Sequence, residues 1–433
     1  MRAYDEYKDS GYDWLGKIPA HWTKTKLREF LKESNERRGT RQDLELLSVY
    51  REFGVIVKNS RNDNHNIESE DTSNYKYVGK NYLVINKMKL WQGSLGISEF
   101  EGIVSPAYIV CKITNKINTR YLNYLLRSPL FKTFYNRISY GVRVGQWDSN
   151  YDDMRQLNIF LPPCEEQDAI VRFLDAKCAK IDRLIKLKER QIALLNEKKQ
   201  LIINQTVTRG LDPNVPVKDS GVDYIGMIPS HWQVILNHRL WEEKTRSYFA
   251  PETVLSLSQQ DGVIPYEDMT ERSLHTSSYE NWKLVLPGDL VVNRFKAHLG
   301  VFFSSGYRGI VTFHYGVFKF KMEGSTKYYE YLYHTSESCR LYASLSNGMT
   351  VGLQNLSNSH FYSAYSIYPP AHEQKEIVEK VEAVNAVYKT KIKIIEKEIL
   401  TLREYKTKII SDCVTGKLNC IAGNDTNLGE NHV

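Results

Sequence analysis

Four short stretches concentrate side chains suited to reading the polar edges of bases. NKMKLWQGS (86–94) carries Lys87, Lys89, Trp91, Gln92 and Ser94, and NRFKAHLG (293–300) carries Arg294, Lys296 and His298. YGVRVGQWDSN (140–150) adds Arg143, Gln146 and Trp147, and NGMTVGLQNLSN (347–358) adds Thr350, Gln354 and Asn355. Arg and Lys donate to guanine, Asn and Gln pair with the adenine edge, and Thr packs on the thymine methyl. The same donors also bind phosphate, which takes half or more of protein–DNA hydrogen bonds. Arg143 and Arg294 lead the base-reading candidates, although solvated surface loops have the same composition.

These stretches occupy matching places in an internal repeat. KDSGYDWLGKIPAHW (8–22) returns as KDSGVDYIGMIPSHW (218–232), with ten of fifteen positions identical. Further on the offset settles near 207: NYLVINKMK (81–89) matches GDLVVNRFK (288–296), GIVSPAY (102–108) matches GIVTFHY (309–315), and PPCEEQDAIV (162–171) matches PPAHEQKEIV (369–378). The opening and closing segments agree closely, whereas the region between them shares mainly apolar and glycine positions. Such a tandem duplication must be recognised before any fold is assigned. The region between reads as short strands of alternating Val, Ile, Tyr and Phe bounded by Gly, Asn and Asp. TRYLNYLLRSPLFKTFYNRI (119–138) reads as one helix with Tyr121, Tyr124, Leu125 and Phe131 in the core.

The closing segments lead into long stretches without Pro or Gly. PP suits a helix start just beyond it. In the first copy Leu174, Cys178, Ile181, Ile185, Ile192, Leu195 and Ile202 recur at four- and three-residue steps, interrupted by Lys188 and Lys199. Val381, Ile392, Ile395, Ile399, Leu402 and Ile409 continue that register in the second, with Asn385, Tyr388 and Lys406 as softer points. This is a coiled-coil seam. The two seams are expected to hide each other as an antiparallel pair, with buried Lys188, Asn385 and Lys406 lowering stability while setting register. Packing of each helix on its own domain is the alternative.

The bulk properties narrow the function classes. A chain of 433 residues with 42% hydrophobic and 25% charged residues should form several ordered domains rather than a disordered or collagen-like polymer. A net charge of +7 leans towards an anionic partner. With no run of eighteen apolar residues and no apolar stretch at the N-terminus, the expected location is cytoplasmic, without membrane contact. Cys111, Cys164, Cys178, Cys339, Cys413 and Cys420 form no C-x-x-C pair, which fits reduced thiols rather than a zinc site. GYDWLGKI (11–18) has Ile18 where a phosphate-binding loop needs Ser or Thr, and the second copy replaces Lys17 by Met227. No hydrolase, kinase or zinc-protease motif is present. The pattern reads as a binding protein, with a fused methyltransferase or nuclease, or a coiled-coil scaffold for proteins alone, as rivals.

Two divergent domains, each opened by K-D-S-G-x-x-x-x-G-x-I-P-x-H-W and closed by P-P-x-x-E-Q-x-x-I-V and a long helix, resemble the specificity subunits of type I restriction-modification enzymes. The resemblance runs from Lys8 to about Leu418. It implies an α+β protein with two pseudo-symmetric mixed α/β target-recognition domains joined by two long helices in an antiparallel coiled coil. The expected division is a conserved segment 1–22, a first recognition domain 23–163, a central long helix 164–211 and a repeated segment 212–232. A second recognition domain 233–370, a C-terminal long helix 371–419 and a disordered tail 420–433 follow. The resemblance further implies a non-catalytic subunit that reads a bipartite target in double-stranded DNA, with the helices setting the unread spacer. Methyltransferase subunits, expected as two, would bring S-adenosylmethionine, and restriction (translocase) subunits would bring ATP and Mg. No catalytic residue, metal site or cofactor is expected in this chain. Trp22 and Trp232, beside His21 and His231, read as frame residues rather than DNA contacts.

Overall fold

The computed structural model describes residues 3–58, 71–114, 116–140, 147–246, 252–259, 261–269, 279, 281–346 and 354–421. Two compact units emerge: Met1–Lys188 together with Glu396–Val433, and Glu189–Ile395. Each boundary falls inside a long helix, so each unit contains part of both.

The first unit is built on a four-stranded antiparallel sheet in the order Leu31–Glu33, Tyr108–Ile113, Leu83–Asn86, Leu95–Ile97. Side chains alternate across a strand. Leu83, Ile85, Ile109 and Cys111 therefore enter one core, under the helices, and Val84 and Val110 enter another with Leu47, Val49 and Val55. A sheet buried on both sides explains why the sequence there is so continuously apolar. Its second layer pairs Glu45–Tyr50 antiparallel with Gly54–Val57 and parallel with Gly102–Val104.

The second unit repeats the plan. Its sheet runs Trp241–Glu243, Tyr315–Phe320, Leu290–Asn293, Phe302–Ser304, and Tyr315 opposes Asn293 as Tyr108 opposes Asn86. The recurring GIV has a steric cause. A Cβ on Gly102 would strike the carbonyl oxygen of Glu45, and one on Gly309 that of Thr253.

The segment expected as one helix at 119–138 is two, Thr119–Leu126 and Pro129–Arg137. Pro129 lacks the N–H that a continuing helix would use, so it takes the first position of a new helix, with Ser128 before it. Tyr121, Leu125 and Phe131 are buried in the core.

The long helices are Cys164–Arg209 and Ala371–Val414. Pro163 and Pro370 supply the carbonyls that accept the first helical bonds, from Gln167 N and Gln374 N. Gly210 and Gly416, at φ 80° and 73°, end the helices in the left-handed conformation that glycine tolerates. Within the first unit the two helices pack antiparallel: Asp182 pairs with Lys406 at 2.7 Å and Lys188 with Glu398 at 2.6 Å. Leu174, Cys178, Ile181, Ile185, Ile399 and Ile409 are buried along this contact, as the seam periodicity requires, whereas Ile192, Leu195 and Ile202 are only half-buried.

Two seam expectations change. Lys188 and Lys406 are not buried cations but half-exposed ones, each on a carboxylate, because a lysine stem can cover the seam while its ammonium reaches the rim. Docking on a domain also accompanies helix pairing. Ile409, Cys413 and Val414 join the core of the first unit, and Ile203, Val207, Ile377 and Val381 join that of the second.

Candidate nucleic-acid interface

In the first unit the strand Leu83–Asn86 runs directly into a single 3-10 turn, Lys87–Gln92, where the sequence suggested a loop. Asn86 is extended, and Gly93 closes the turn at φ 87°, donating its N–H to the carbonyls of Leu90 and Lys89. Leu90 is buried and anchors the turn; Met88 and Lys89 are exposed, and Lys87, Trp91 and Gln92 are half-buried. The second unit builds a similar device at Arg294–Leu299, kinked at Lys296, with Gly300 at φ 72° and Ala297 as the buried anchor. Phe295, Lys296 and Leu299 are exposed, and Arg294 and His298 are half-buried.

The second candidate stretch of each unit abuts this turn. A short hairpin, Ser139–Tyr140 with Asp148–Ser149, brings the Trp147 ring to 5.2 Å from Trp91 and the Asp148 carboxylate to 2.6 Å from Lys87 Nζ. In the second unit Leu356 N donates to Arg294 O at 3.1 Å, with Gln354 half-buried and Asn355 exposed beside it. Arg143, Gln146 and Thr350 lie outside the described residues.

Several of the expected reading residues are engaged within the protein. Ser94 is 3% exposed, because Gly93 turns the chain back into the sheet, and it offers no surface to a duplex. Arg294 Nη2 donates to Glu243 Oε1 at 2.6 Å and to Asn358 Oδ1 at 2.7 Å, while Lys283 Nζ reaches the same Glu243 oxygen at 3.0 Å. One carboxylate thus holds two cations, and this cluster fastens the turn to the helix Asn358–Ser363. Arg294 positions the surface more than it extends from it. Lys89, Lys296 and Asn355 remain as exposed polar groups of the set, joined by half-buried Gln92, His298 and Gln354.

Behind the turns the units differ where their sequences differ. Arg127 donates to the carbonyls of Leu95, Arg51 and Glu52 at 3.0, 3.2 and 2.7 Å, tying the strand beyond the turn to the neighbouring loop. Among the described residues no carboxylate pairs with it, and burial draws its pKa below the usual guanidinium value. Position 334, 207 residues on, is a histidine that burial pushes down to about 4, so a neutral ring replaces a cation. Asn123 and Glu330 hold equivalent strands through Ile97 N and Ser304 N, and burial raises the Glu330 carboxyl above its ordinary range.

The repeated segments form the same clasp in each unit. Glu166, in the first turn of its helix, accepts from Trp22 Nε1 at 3.1 Å and from Tyr4 OH at 2.6 Å, with His21 Nε2 at 2.7 Å. Glu373 likewise accepts from Trp232 Nε1 at 2.8 Å, with His231 Nε2 at 2.6 Å. A carboxylate there also complements the positive end of the helix dipole. Gln167 and Gln374 complete the joint: each donates to the first proline carbonyl of its PP pair and accepts from the N–H of Asn118 or Ser325. Trp22 and Trp232 are fully buried, in keeping with a frame role. The clasp glutamates were not singled out from sequence, although the recurring H-W and E-Q pairs were the available signal.

Among the described residues no group of three or more His, Cys, Asp or Glu is placed to hold a metal ion, and no helix is long and apolar enough to cross a membrane.

The two units thus share one plan and a repeated clasp and differ in their exposed residues. Residues 19–197 match the family described as the type I restriction modification DNA specificity domain. The chain is similar to the type I restriction enzyme MjaX specificity subunit of Methanocaldococcus jannaschii, 26% identical over 235 residues. That match takes in 51% of this chain and 53% of the relative, so it spans about half of each. Among solved structures, a chain from work on complex assembly and conformational transition of the type I R-M system aligns at TM-score 0.66 and 12% identity, over 93% of this chain and 99% of that one. The HsdS subunit from Thermoanaerobacter tengcongensis aligns at TM-score 0.51 and 13% identity, over 95% and 100%. At those identities the likeness is one of fold.

Proposed function

We propose that this chain is the DNA-recognition subunit of a type I restriction-modification complex and reads a bipartite target in double-stranded DNA, one part with each unit. The observation that carries this reading is the contrast within the repeat. The His–Trp–Glu clasp and the Pro–Gln joint recur atom for atom in kind. Meanwhile the turns at 87–92 and 294–299 keep their place after the strand, their buried anchor and their closing glycine, but change their side chains, and the second kinks at Lys296. A frame held constant suits identical partners, and surfaces that diverge within a shared plan suit different base sequences. The long helices act as the spacer between the two parts. Methyltransferase subunits, two in number, dock on the frame and carry S-adenosylmethionine; restriction subunits join them and use ATP and Mg. The chain contributes recognition rather than catalysis and works in the cytoplasm.

The test is a map of methylated bases in cells that carry the chain with its methyltransferase partner. The expected target is split by an unread gap, and exchanging residues 23–163 for the corresponding domain of a relative changes one part alone. Arg143→Ala should relax or weaken that part by about 1–3 kcal/mol if the guanidinium grips guanine with two bonds. A methylation pattern indifferent to the chain would overturn the proposal and leave a scaffold that binds proteins only.

A further inference from the structure

Six cysteines are scattered through the sequence, and the fold brings two of them together. Cys413, next to last in the second long helix, and Cys420 are both buried, with their Sγ atoms 2.6 Å apart. That separation is inside ordinary sulfur–sulfur contact and within about 0.6 Å of a covalent bond length. The turn between them makes the approach specific. Gly416 reverses the chain in the left-handed conformation, and Leu418 N donates to Asp412 O at 3.0 Å. Gly416 lies against Pro19 and Trp22, and Val414 O accepts from Tyr121 OH at 3.2 Å. The turn that follows the second long helix is therefore packed beneath the clasp of the first unit. Of the other cysteines, Cys111 faces the Tyr151 hydroxyl and Cys164 is exposed.

We infer that Cys413 and Cys420 form an oxidative modification site, a dithiol that hydrogen peroxide converts to a disulfide locking the turn after the second long helix under the Trp22 clasp. One thiolate attacks the peroxide O–O bond, forming a sulfenic acid and releasing hydroxide, which leaves as water. The second thiolate then attacks that sulfur, the S–S bond forms, and the second oxygen leaves as water. Two thiols lose two electrons and two protons in all, and the peroxide is reduced to two waters. The Cys413 thiol is held well above its ordinary pKa by its bond with Cys420, then by burial and by the charges of Cys420, Asp412 and Cys178. Since the thiolate is the reactive form, the reaction is slow near neutrality and quickens as pH rises.

Trypsin supplies a direct readout, because Lys417 separates the two cysteines. The full-length reduced protein is treated with hydrogen peroxide at rising pH, its remaining thiols are alkylated in denaturant, and the digest is analysed by mass spectrometry without reduction. The expected product is peptide 409–417 linked to peptide 418–433, with two of the six thiols lost. Hydrogen exchange through 415–421 should slow in the oxidised protein, and Cys420→Ser should abolish both changes. Recovery of both cysteines as alkylated thiols would overturn the inference. So would linkage of 409–417 to the Cys178 peptide, or a yield no higher in folded than in denatured protein.

Discussion

Replacing Glu166 by alanine isolates the physical content of the repeated segments, because the two clasps differ in depth. The Glu166 carboxylate is 7% exposed and serves Tyr4, His21 and Trp22; that of Glu373 is 24% exposed and, among the described residues, serves His231 and Trp232 alone. Leaving a buried donor without its acceptor costs about 1–3 kcal/mol. Glu166→Ala strands two buried donors, the Trp22 indole N–H and the Tyr4 hydroxyl, while His21 can turn to water. Allowing for incomplete additivity, the loss should be about 3–4 kcal/mol, against about 1–2 kcal/mol for Glu373→Ala, which strands one. Glu166→Gln keeps one acceptor oxygen and should fall between. The assay is native-state hydrogen exchange of the full chain, followed in peptides covering 15–23 and 164–180, which reports the opening of this joint alone. If Glu166→Ala lowered protection there by less than about 1 kcal/mol, or by no more than Glu373→Ala does in its own unit, the clasp would be incidental to the frame.

Three further outcomes follow from the structure. His334 is held neutral, with its pKa pushed down to about 4 from an ordinary value near 6.5. Its contribution is complete above pH 6.5 and lost as pH falls towards 4, a loss on the order of 3 kcal/mol that His334→Gln should flatten in acid titrations of the second unit's exchange protection. Lys406 and Asp182 are both partly exposed, so their ion pair is screened: Lys406→Ala should change urea stability by less than about 1 kcal/mol, and Lys406→Leu should leave it equal or higher, since a seam position gains apolar cover. Gly102→Ala and Gly309→Ala should each destabilise their own unit by about 1–3 kcal/mol in the same assay, because the added methyl meets a fixed carbonyl rather than a movable side chain.

Much of the architecture was legible because it rests on local rules. The period-two alternation around Leu83–Asn86 and Leu290–Asn293 marks strands, and their unusual apolar continuity is the signature of a sheet covered on both faces. The four- and three-residue steps from Leu174 to Ile185 mark a seam that the structure buries. Pro129 shows where reading along the chain fell short: apolar spacing ran through it, and a missing backbone donor divided the helix. The candidate surface was less legible, since residue type says what a side chain is able to bind and nothing of what already binds it.

From its sequence alone this protein is a duplicated chain with two long amphipathic helices, alternating strands and a repeated opening and closing phrase, because repetition and periodicity are properties of neighbours in the chain. Only the tertiary structure decided that Glu166 meets Trp22, that Arg294 is held by Glu243, that Ser94 turns inward and that Cys413 touches Cys420. Those are contacts between residues that the fold brings together, governed by how far each group lies from water and which partner reaches it first. No pattern of spacing encodes that distance until the chain has closed.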